Sequence, residues 1–248
     1  MSGHSKWAQI KRQKGAADAK RGQLFTKLGR ELSVAAREGG PDPALNPRLR
    51  LAVQKARDAN MPLENIERAI KKGSDRNEAA LEEIVYEGYG PGGAAIMIEA
   101  LTDNRNRSVA EIRNVFTRAG GSLGESGCVA WLFDKRGVIE VDVTKVDPDE
   151  VGLEAIDGGA DDVQVGDGTL EIYTDPSNLE SVRQRLESLG VPIISAEVNM
   201  VAKTDLSLDE KEALSTLRLL DRLEELDDVQ RVYTNVDFQP EVLAKYSG

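Results

Sequence analysis

The chain has 248 residues, of which 40% are hydrophobic, 30% are charged and 4% are aromatic, and its formal net charge is −11. This length exceeds what one hydrophobic core usually organises, so two or three domains are expected. The single cysteine, Cys128, excludes an intramolecular disulfide and a cysteine-based metal cluster. The sequence contains no run of the roughly 18 apolar residues that a membrane span requires and opens on no apolar targeting segment, so we expect a cytoplasmic protein.

Charge is divided unevenly along the chain. The first 76 residues carry 17 Lys and Arg against 8 Asp and Glu, whereas the remaining 172 carry 15 against 35. Basic residues on a helix are often only a solvated face, but this density in a polar tail and the adjoining helix favours binding to a polyanion, nucleic acid. Trp7 would either stack on a base or pack in a core beside Ile10. The expected contact residues are Lys6, Trp7, Lys11, Arg12, Lys14, Lys20, Arg21, Lys27 and Arg30.

Three helices are predicted after the basic tail. Apolar residues recur at helical spacing over 18–38, over a second stretch that follows Pro47, and over 63–70. Glycine and proline punctuation ends each stretch, at 39–41, at 60–62 and at Gly73. We therefore expect residues 1–76 to form a basic, helical, nucleic-acid-binding domain.

The pattern beyond residue 81 predicts α/β structure. A strand at 94–101, a helix at 107–119 and a strand at 128–133 would form one β-α-β unit. Strands at 138–143, 162–165, 169–173 and 193–200, with helices at 148–157 and 179–189, give the order βαββαβ of a ferredoxin-like domain. A last helix at 207–226 opens on a predicted capping box at Ser207, and an alternating strand at 232–238 follows.

The β-α-β unit lacks a second half, and the final α-β segment lacks a sheet. Joining the two predicts a discontinuous α/β domain of residues 82–134 and 201–240, with residues 135–200 inserted as a complete ferredoxin-like domain. The expected fold class is therefore multidomain α and α+β: an N-terminal three-helix domain and two ferredoxin-like α/β domains, the last inserted into the middle one.

Two glycine-rich stretches and one basic loop are candidate functional features of the α/β part. The glycines at 88–93 and 120–127 suit tight turns at strand ends, or a backbone surface that approaches a ligand closely. In the segment 103–107, Asp103 or Asn104 would cap a helix with the arginines solvated, or the arginines would bind phosphate or a base near the glycine turns. The possible second contact edge comprises Tyr89, Gly90, Gly92, Gly93, Asn104, Arg105, Asn106 and Arg107.

Catalytic signals are weak throughout the chain. His4 is the single histidine, and the glycine stretches lack both the Gly-Lys-Ser/Thr ending of a phosphate loop and the dinucleotide fingerprint. The carboxylates near residues 147–150 and 161–162 sit at predicted helix starts and turns, where they are common. We expect no catalytic residues, no metal, no cofactor and no small-molecule substrate.

Several motifs together resemble the YebC family. They are Gly3-His4-Ser5-Lys6-Trp7, Asp18-Ala19-Lys20-Arg21-Gly22, Phe25-Thr26-Lys27, Asn46-Pro47-Arg48-Leu49-Arg50, Tyr86-Glu87-Gly88-Tyr89-Gly90-Pro91-Gly92-Gly93 and Asp103-Asn104-Arg105-Asn106-Arg107. The resemblance implies a helical domain followed by two α/β domains, and a regulator of gene expression without enzymatic activity. Some members of this family are described as DNA-binding transcriptional regulators. Others, including the mitochondrial translational activator of cytochrome oxidase, act on the ribosome and assist synthesis through proline-rich stretches.

The charge pattern and the resemblance lead to one favoured function and one alternative. The favoured function is a ribosome-associated translation factor whose basic region binds ribosomal RNA. The alternative is a DNA-binding transcriptional regulator that places one of the three N-terminal helices in a major groove. Neither function involves a membrane.

Overall fold

The computed structural model describes residues 18–75, 80–166 and 168–247, and the side chains of residues 18–20 and 247 lie outside that description. The described residues divide into two compact units. One comprises Trp131–Ser207 and Tyr233–Gln239, and the other comprises 18–130, Leu208–Val232 and 240–247.

The N-terminal domain consists of three helices: α1 (Asp18–Gly39), α2 (Pro47–Asp58) and α3 (Leu63–Ser74). Their apolar faces meet in one core because leucine, valine and alanine recur every three or four residues on each helix. The buried residues of this core include Leu28, Leu32, Ala35, Leu49, Val53, Ala56, Met61 and Ile66. The three helices predicted from periodicity are confirmed.

Asn46 sets the start of α2. Its side-chain oxygen accepts from the Leu49 backbone N–H at 3.1 Å, which is the N-cap interaction, and Pro47 occupies the first turn. The amide nitrogen of Asn46 donates to the carbonyls of Ala35 and Gly40 at 2.7 and 2.8 Å. One buried amide therefore ties the beginning of α2 to the end of α1.

Gly73 allows α3 to approach α1 closely. A methyl group at this position would overlap the backbone carbonyl of Ser33, whose hydroxyl already donates to the Ala69 carbonyl at 2.8 Å. We expect Gly73→Ala to destabilise the protein by about 2 kcal/mol, because the helices must separate to admit the methyl group. Urea denaturation measures this change.

Gly22→Ala is the matched control for Gly73→Ala, since a Cβ at position 22 meets nothing within 4 Å. Alanine there should leave stability unchanged or raise it by up to about 1 kcal/mol through helix propensity. Equal effects of the two substitutions would show that close packing at Gly73 is unimportant.

The elements that follow alternate between strands and helices. In chain order they are β1 (Glu82–Tyr89), β2 (Ala95–Thr102), α4 (Arg105–Arg118), β3 (Ser122–Leu123), β4 (Phe133–Asp142), α5 (Pro148–Asp157), β5 (Asp162–Val165), β6 (Thr169–Thr174), α6 (Leu179–Ser188), β7 (Ile193–Ala202), α7 (Glu210–Glu224), β8 (Val229–Thr234) and α8 (Pro240–Ser247).

The first sheet has the strand order β3-β1-β2-β8. Strands β1 and β2 form an antiparallel hairpin in which Tyr89 pairs with Ala95 at one end and Glu82 pairs with Thr102 at the other. Helices α4 and α7 contact each other and bury their apolar residues, which include Ile112, Phe116, Leu217 and Leu220. Strand β8 reaches this sheet after the whole of the second sheet has been formed along the chain.

Two sequence-based assignments in this sheet are wrong. Residues 128–133 were expected to form a strand, but 128–132 form a turn and a short 3₁₀ helix, Ala130–Leu132, and β4 begins only at Phe133. The strand that follows α4 is instead the two-residue β3, which pairs with β1 on the side away from β2. Strand β1 itself was not predicted, because its alternation is interrupted by consecutive glutamates at one end and glycines at the other.

The second sheet has the order β5-β6-β4-β7, and each neighbouring pair is antiparallel. Helices α5 and α6 contribute to its core, whose buried residues include Ile139, Val141, Val151, Ala155, Leu170, Ile172, Val182 and Leu186. This is the ferredoxin-like βαββαβ arrangement. The predicted fold class, multidomain α and α+β, is confirmed, while the boundaries 1–76, 82–134 with 201–240, and 135–200 stay a prediction.

Helix α7 begins later than the sequence suggested. Its N-cap is Asp209, whose carboxylate accepts from the Glu212 backbone N–H at 2.7 Å, so the capping box predicted at Ser207 is wrong. The strand predicted at 232–238 is the earlier β8, and α8 follows it. Asp209 rather than Ser207 is the N-cap because Asp209 lies directly before the continuous helical pattern.

Candidate nucleic-acid interface

Most of the predicted basic contact residues lie outside the described part of the chain. Lys6, Trp7, Lys11, Arg12 and Lys14 precede residue 18, and Lys20 lies on α1 with its side chain outside the description. The side chains that the structure describes are those of Arg21, Lys27 and Arg30. All three are on α1.

The three described cations of α1 have different surroundings. Arg21 is exposed near the start of the helix. Lys27 is partly buried and donates from Nζ to the Glu224 carbonyl at 2.6 Å. Arg30 donates to the carbonyls of Leu101 and Asp227 at 2.9 and 2.8 Å. Lys27 and Arg30 therefore join the helical domain to the end of α7 and to the end of β2 in the first sheet.

The carboxylate of Asp228 is the centre of this junction. Its oxygens accept from Ser108 Oγ at 2.6 Å, from Thr102 Oγ1 at 3.0 Å and from the guanidinium groups of Arg30 and Arg107 at 2.5 and 2.9 Å. Asp228 is only 4% exposed. Burial raises the pKa of this carboxyl, but hydrogen bonds from Ser108, Arg107, Arg30 and Thr102 outweigh burial and lower its pKa to about 2.

The role of Asp228 was not predicted from the sequence, because Asp228 follows Asp227 in a segment typical of an ordinary polar turn. A buried acceptor could have been expected from the run 102–108, because the hydroxyls of Thr102 and Ser108 and the guanidinium of Arg107 are donors that need one. Nothing in that run specifies which carboxylate supplies it.

The segment Asn104–Arg107 begins α4 in the way the capping interpretation predicted. The Asn104 side chain accepts from the Arg107 backbone N–H at 3.1 Å. Arg107 also pairs with Asp103 at 2.9 Å, so its guanidinium is shared between two carboxylates. The Arg105 side chain is exposed and makes no ion pair with the described residues, and its carbonyl accepts a 3.5 Å hydrogen bond from the Tyr86 hydroxyl.

The predicted second contact edge is not one edge. Gly90, Gly92 and Gly93 lie in the turn between β1 and β2, whereas Asn104–Arg107 follows the opposite end of β2. The eight residues of β2 separate them, and at about 3.3 Å per residue this is about 26 Å. The expectation that the arginines lie beside the glycine turns is therefore wrong. Tyr89, Gly90, Gly92 and Gly93 form one group, and Asn104, Arg105, Asn106 and Arg107 form another.

The glycine turn has a conformational explanation. Gly92 and Gly93 have φ angles of 66° and 80°, which favour glycine, and Pro91 precedes them. Tyr89 donates its hydroxyl to the Cys128 carbonyl at 2.9 Å, which brings the second glycine stretch alongside. These contacts agree with the interpretation as tight turns.

Glu87 organises the second glycine stretch and was not singled out by the sequence. Its carboxylate is 4% exposed and accepts from the backbone N–H groups of Gly127, Val129 and Ala130 at 2.7 to 2.8 Å. Burial raises the pKa of Glu87, but the three backbone donors outweigh it, so the pKa lies below its ordinary value. These bonds hold 127–130 out of strand conformation.

Groups suited to catalysis are not assembled in the described ranges. No set of three or more His, Cys, Asp and Glu side chains there is placed to hold a metal ion. Burial, with a smaller contribution from Glu87, raises the pKa of the Cys128 thiol, so this cysteine is a poor nucleophile. None of the helices between residues 18 and 247 that the structure describes has the length and apolar character needed to cross a membrane.

The geometry thus defines a multidomain α+β protein in which a basic helical domain is joined by buried polar contacts to an α/β domain. The chain belongs to the TACO1/YebC family. Residues 5–76 match the family's N-terminal domain, and residues 81–236 match its second and third domains. The resemblance drawn from the motifs is confirmed.

Close relatives span the full length of the chain. Proteins named probable transcriptional regulatory protein from Dehalococcoides mccartyi and Chloroflexus aurantiacus are each 58% identical to it. The alignments cover 99% of this chain and 98% of the first relative, and 100% of both chains for the second. The crystal structure of a conserved hypothetical protein from Aquifex aeolicus matches with a TM-score of 0.84 and 51% identity, over 91% of this chain and 94% of that one. The family and the relatives' names indicate a regulatory protein rather than an enzyme.

Proposed function

We propose that this protein is a non-enzymatic regulator of gene expression that binds ribosomal RNA and acts on the ribosome in the cytoplasm. The observation that carries the proposal is the charge division, with 17 basic against 8 acidic residues up to residue 76 and 15 against 35 beyond it. Such a chain is drawn to a polyanion by one end while most of its body is repelled. Acidic surfaces of the body would suit basic ribosomal proteins.

The contacts of α1 distinguish basic residues that bind protein acceptors from those that are free to be proposed as phosphate contacts. Lys27 and Arg30 already donate to protein acceptors, so they support a fixed position of the helical domain on the first sheet. Phosphate contacts would then come mainly from the exposed Arg21 and from the cations that precede it. The proposed RNA-binding set therefore centres on Lys6, Trp7, Lys11, Arg12, Lys14, Lys20 and Arg21, with Trp7 available for stacking.

Assistance through proline-rich stretches is the finer part of this proposal, and it rests on the family resemblance. Because the described residues assemble no set of catalytic groups, the assistance we propose is the positioning of RNA or substrate for peptide-bond formation. Arg105, exposed at the start of α4, and the turn at Gly92 are the candidate contact points, on separate surfaces.

A DNA-binding transcriptional regulator is the second candidate, and the names of the relatives favour it. Co-sedimentation with ribosomes at graded salt, compared with gel shifts on duplex DNA under excess nonspecific competitor, distinguishes the two functions. Ribosome binding that survives competitor, with DNA binding that does not, supports the translation factor. The reverse result supports the transcriptional regulator.

Replacing Lys11, Lys14 and Arg21 by alanine tests the proposed binding residues. Each phosphate contact contributes a slope of about −0.7 to −0.9 in log affinity against log salt, so the triple variant should flatten the slope by about 2 to 3 units. Exposed cations on α7, Arg218 and Arg222, offer a control that changes net charge in the same direction. An unchanged slope in the triple variant would contradict the assignment.

A further inference from the structure

Helix α4 is a basic element within an acidic body. Of the 15 basic residues beyond residue 76, four are arginines of this helix, while only one of the 35 acidic residues, Glu111, lies on it. The buried side of α4 is apolar, through Ile112 and Phe116. The apolar packing of α4 therefore does not require Arg113 and Arg118, and their presence on its outer side calls for a different explanation.

The outer side of α4 presents a shallow groove of about 380 Å³. Ala110 leaves space in the middle of the helix surface, and the other residues that line the groove are Arg113, Asn114, Thr117 and Arg118. All five are exposed. Arg113 and Arg118 make no ion pair with the described residues, in contrast to Arg107 on the same helix, whose guanidinium is held by Asp103 and Asp228.

The start of α4 is fixed beside the basic helix α1. Asp228 accepts from Arg107 of α4 and from Arg30 of α1, so one buried carboxylate holds both helices. From that point α4 extends over 14 residues, which is about 21 Å at 1.5 Å per residue. Arg113 and Arg118 follow Arg107 on this helix by six and eleven residues, so they lie about 9 and 17 Å along α4 from the junction.

We propose that the outer face of α4, comprising Arg113, Asn114 and Arg118, is a second nucleic-acid contact surface that binds the phosphate backbone of single-stranded RNA. Guanidinium groups bind phosphate bidentately, and a neighbouring amide donates to phosphate or sugar oxygens. The groove is lined by no aromatic side chain, so the contact is to the backbone and independent of base sequence. This inference rests on the proposed RNA-binding function and adds a surface outside the N-terminal domain.

The test uses full-length protein and a mixed-sequence single-stranded RNA of 20 nucleotides, with affinity measured by fluorescence anisotropy over a series of salt concentrations. R113A/R118A should flatten the salt slope by about 1.4 units and weaken binding by about 25-fold at 0.1 M salt, since each contact contributes about 0.7. R113K/R118K should keep most of the slope because the charges remain. R218A/R222A on α7 removes the same number of exposed charges from the same unit and should leave the slope near that of the unmodified protein.

The outcomes separate this inference from the proposed function. Should the unmodified protein fail to bind RNA at all, the proposed function itself is overturned, and this surface with it. Should the unmodified protein bind, and the Lys11, Lys14 and Arg21 variant lose affinity while R113A/R118A does not, only the α4 surface is overturned. Equal losses in R113A/R118A and R218A/R222A, or a loss on duplex DNA without one on RNA, would also overturn it.

Discussion

Asp228→Asn should lower the free energy of unfolding by about 2 to 3 kcal/mol at pH 7. The pKa of the Asp228 carboxyl is lowered from its ordinary value of 3.8 to about 2. Each pKa unit corresponds to about 1.4 kcal/mol of preference for the charged form. Asparagine keeps the shape of the side chain but removes the negative charge between Arg30 and Arg107, and its NH₂ group must face donors. Urea denaturation at pH 7 measures the loss.

The same measurement repeated in acid checks the cause. Because the pKa of Asp228 is lower in the folded state, its contribution is complete above its ordinary pKa of 3.8 and is lost as the pH falls towards 2. The difference between the two proteins should therefore stay constant from about pH 5 to 7 and shrink between about pH 4 and 2. Asp227→Asn is the control, since that neighbouring side chain is exposed and only its backbone carbonyl accepts from Arg30. A comparable loss in the control would show that Asp228 has no special role.

Glu87→Gln should lower the free energy of unfolding by about 2 kcal/mol. The carboxylate accepts three backbone N–H groups, and a glutamine presents an NH₂ group to at least one of them. A buried N–H group that loses its acceptor costs about 1 to 3 kcal/mol. The loss should be accompanied by faster amide hydrogen exchange at residues 127–130, which mass spectrometry of the full chain can detect.

Acidification and a neighbouring variant provide the controls for Glu87. Its pKa is below the ordinary 4.5, so its contribution is present above that pH and is lost as the pH falls through the lower folded value. Glu125→Gln removes an exposed carboxylate from the same loop and should change neither stability nor exchange. Unaltered exchange at 127–130 in Glu87→Gln would contradict the role assigned to this residue.

The fold could be predicted wherever local patterns agree with the final packing. In the inserted sheet, the helix predicted at 148–157 is α5, Pro148–Asp157, and the strands at 162–165 and 169–173 are β5 and β6 to within one residue. Each has a regular period and is bounded by proline, aspartate or glycine. The segment 128–133 has equally apolar residues, but its backbone donors bind Glu87, which lies 40 residues away or more in the sequence. No local period can indicate such a contact.

The candidate site shows the same division. The excess of cations up to residue 76 is a property of composition, and the Asn104 cap is a contact over three residues, so both could be predicted. The partners of Arg30 and Arg107 could not, since Asp228 lies 198 and 121 residues away from them. The placement of the two predicted contact groups at opposite ends of β2 likewise depends on strand pairing.

The sequence alone determined the family, the fold class, the order of most helices and strands and the uneven distribution of charge, because all of these depend on residue type and short-range spacing. Only the tertiary structure decided which charged groups are engaged within the protein and which remain exposed. A buried carboxylate needs hydrogen-bond donors, and any part of the chain that packs beside it can supply them. Asp228 and Glu87 are buried, and their donors come from elements far away in the sequence. The arginines on the outer face of α4 are left exposed by the same packing.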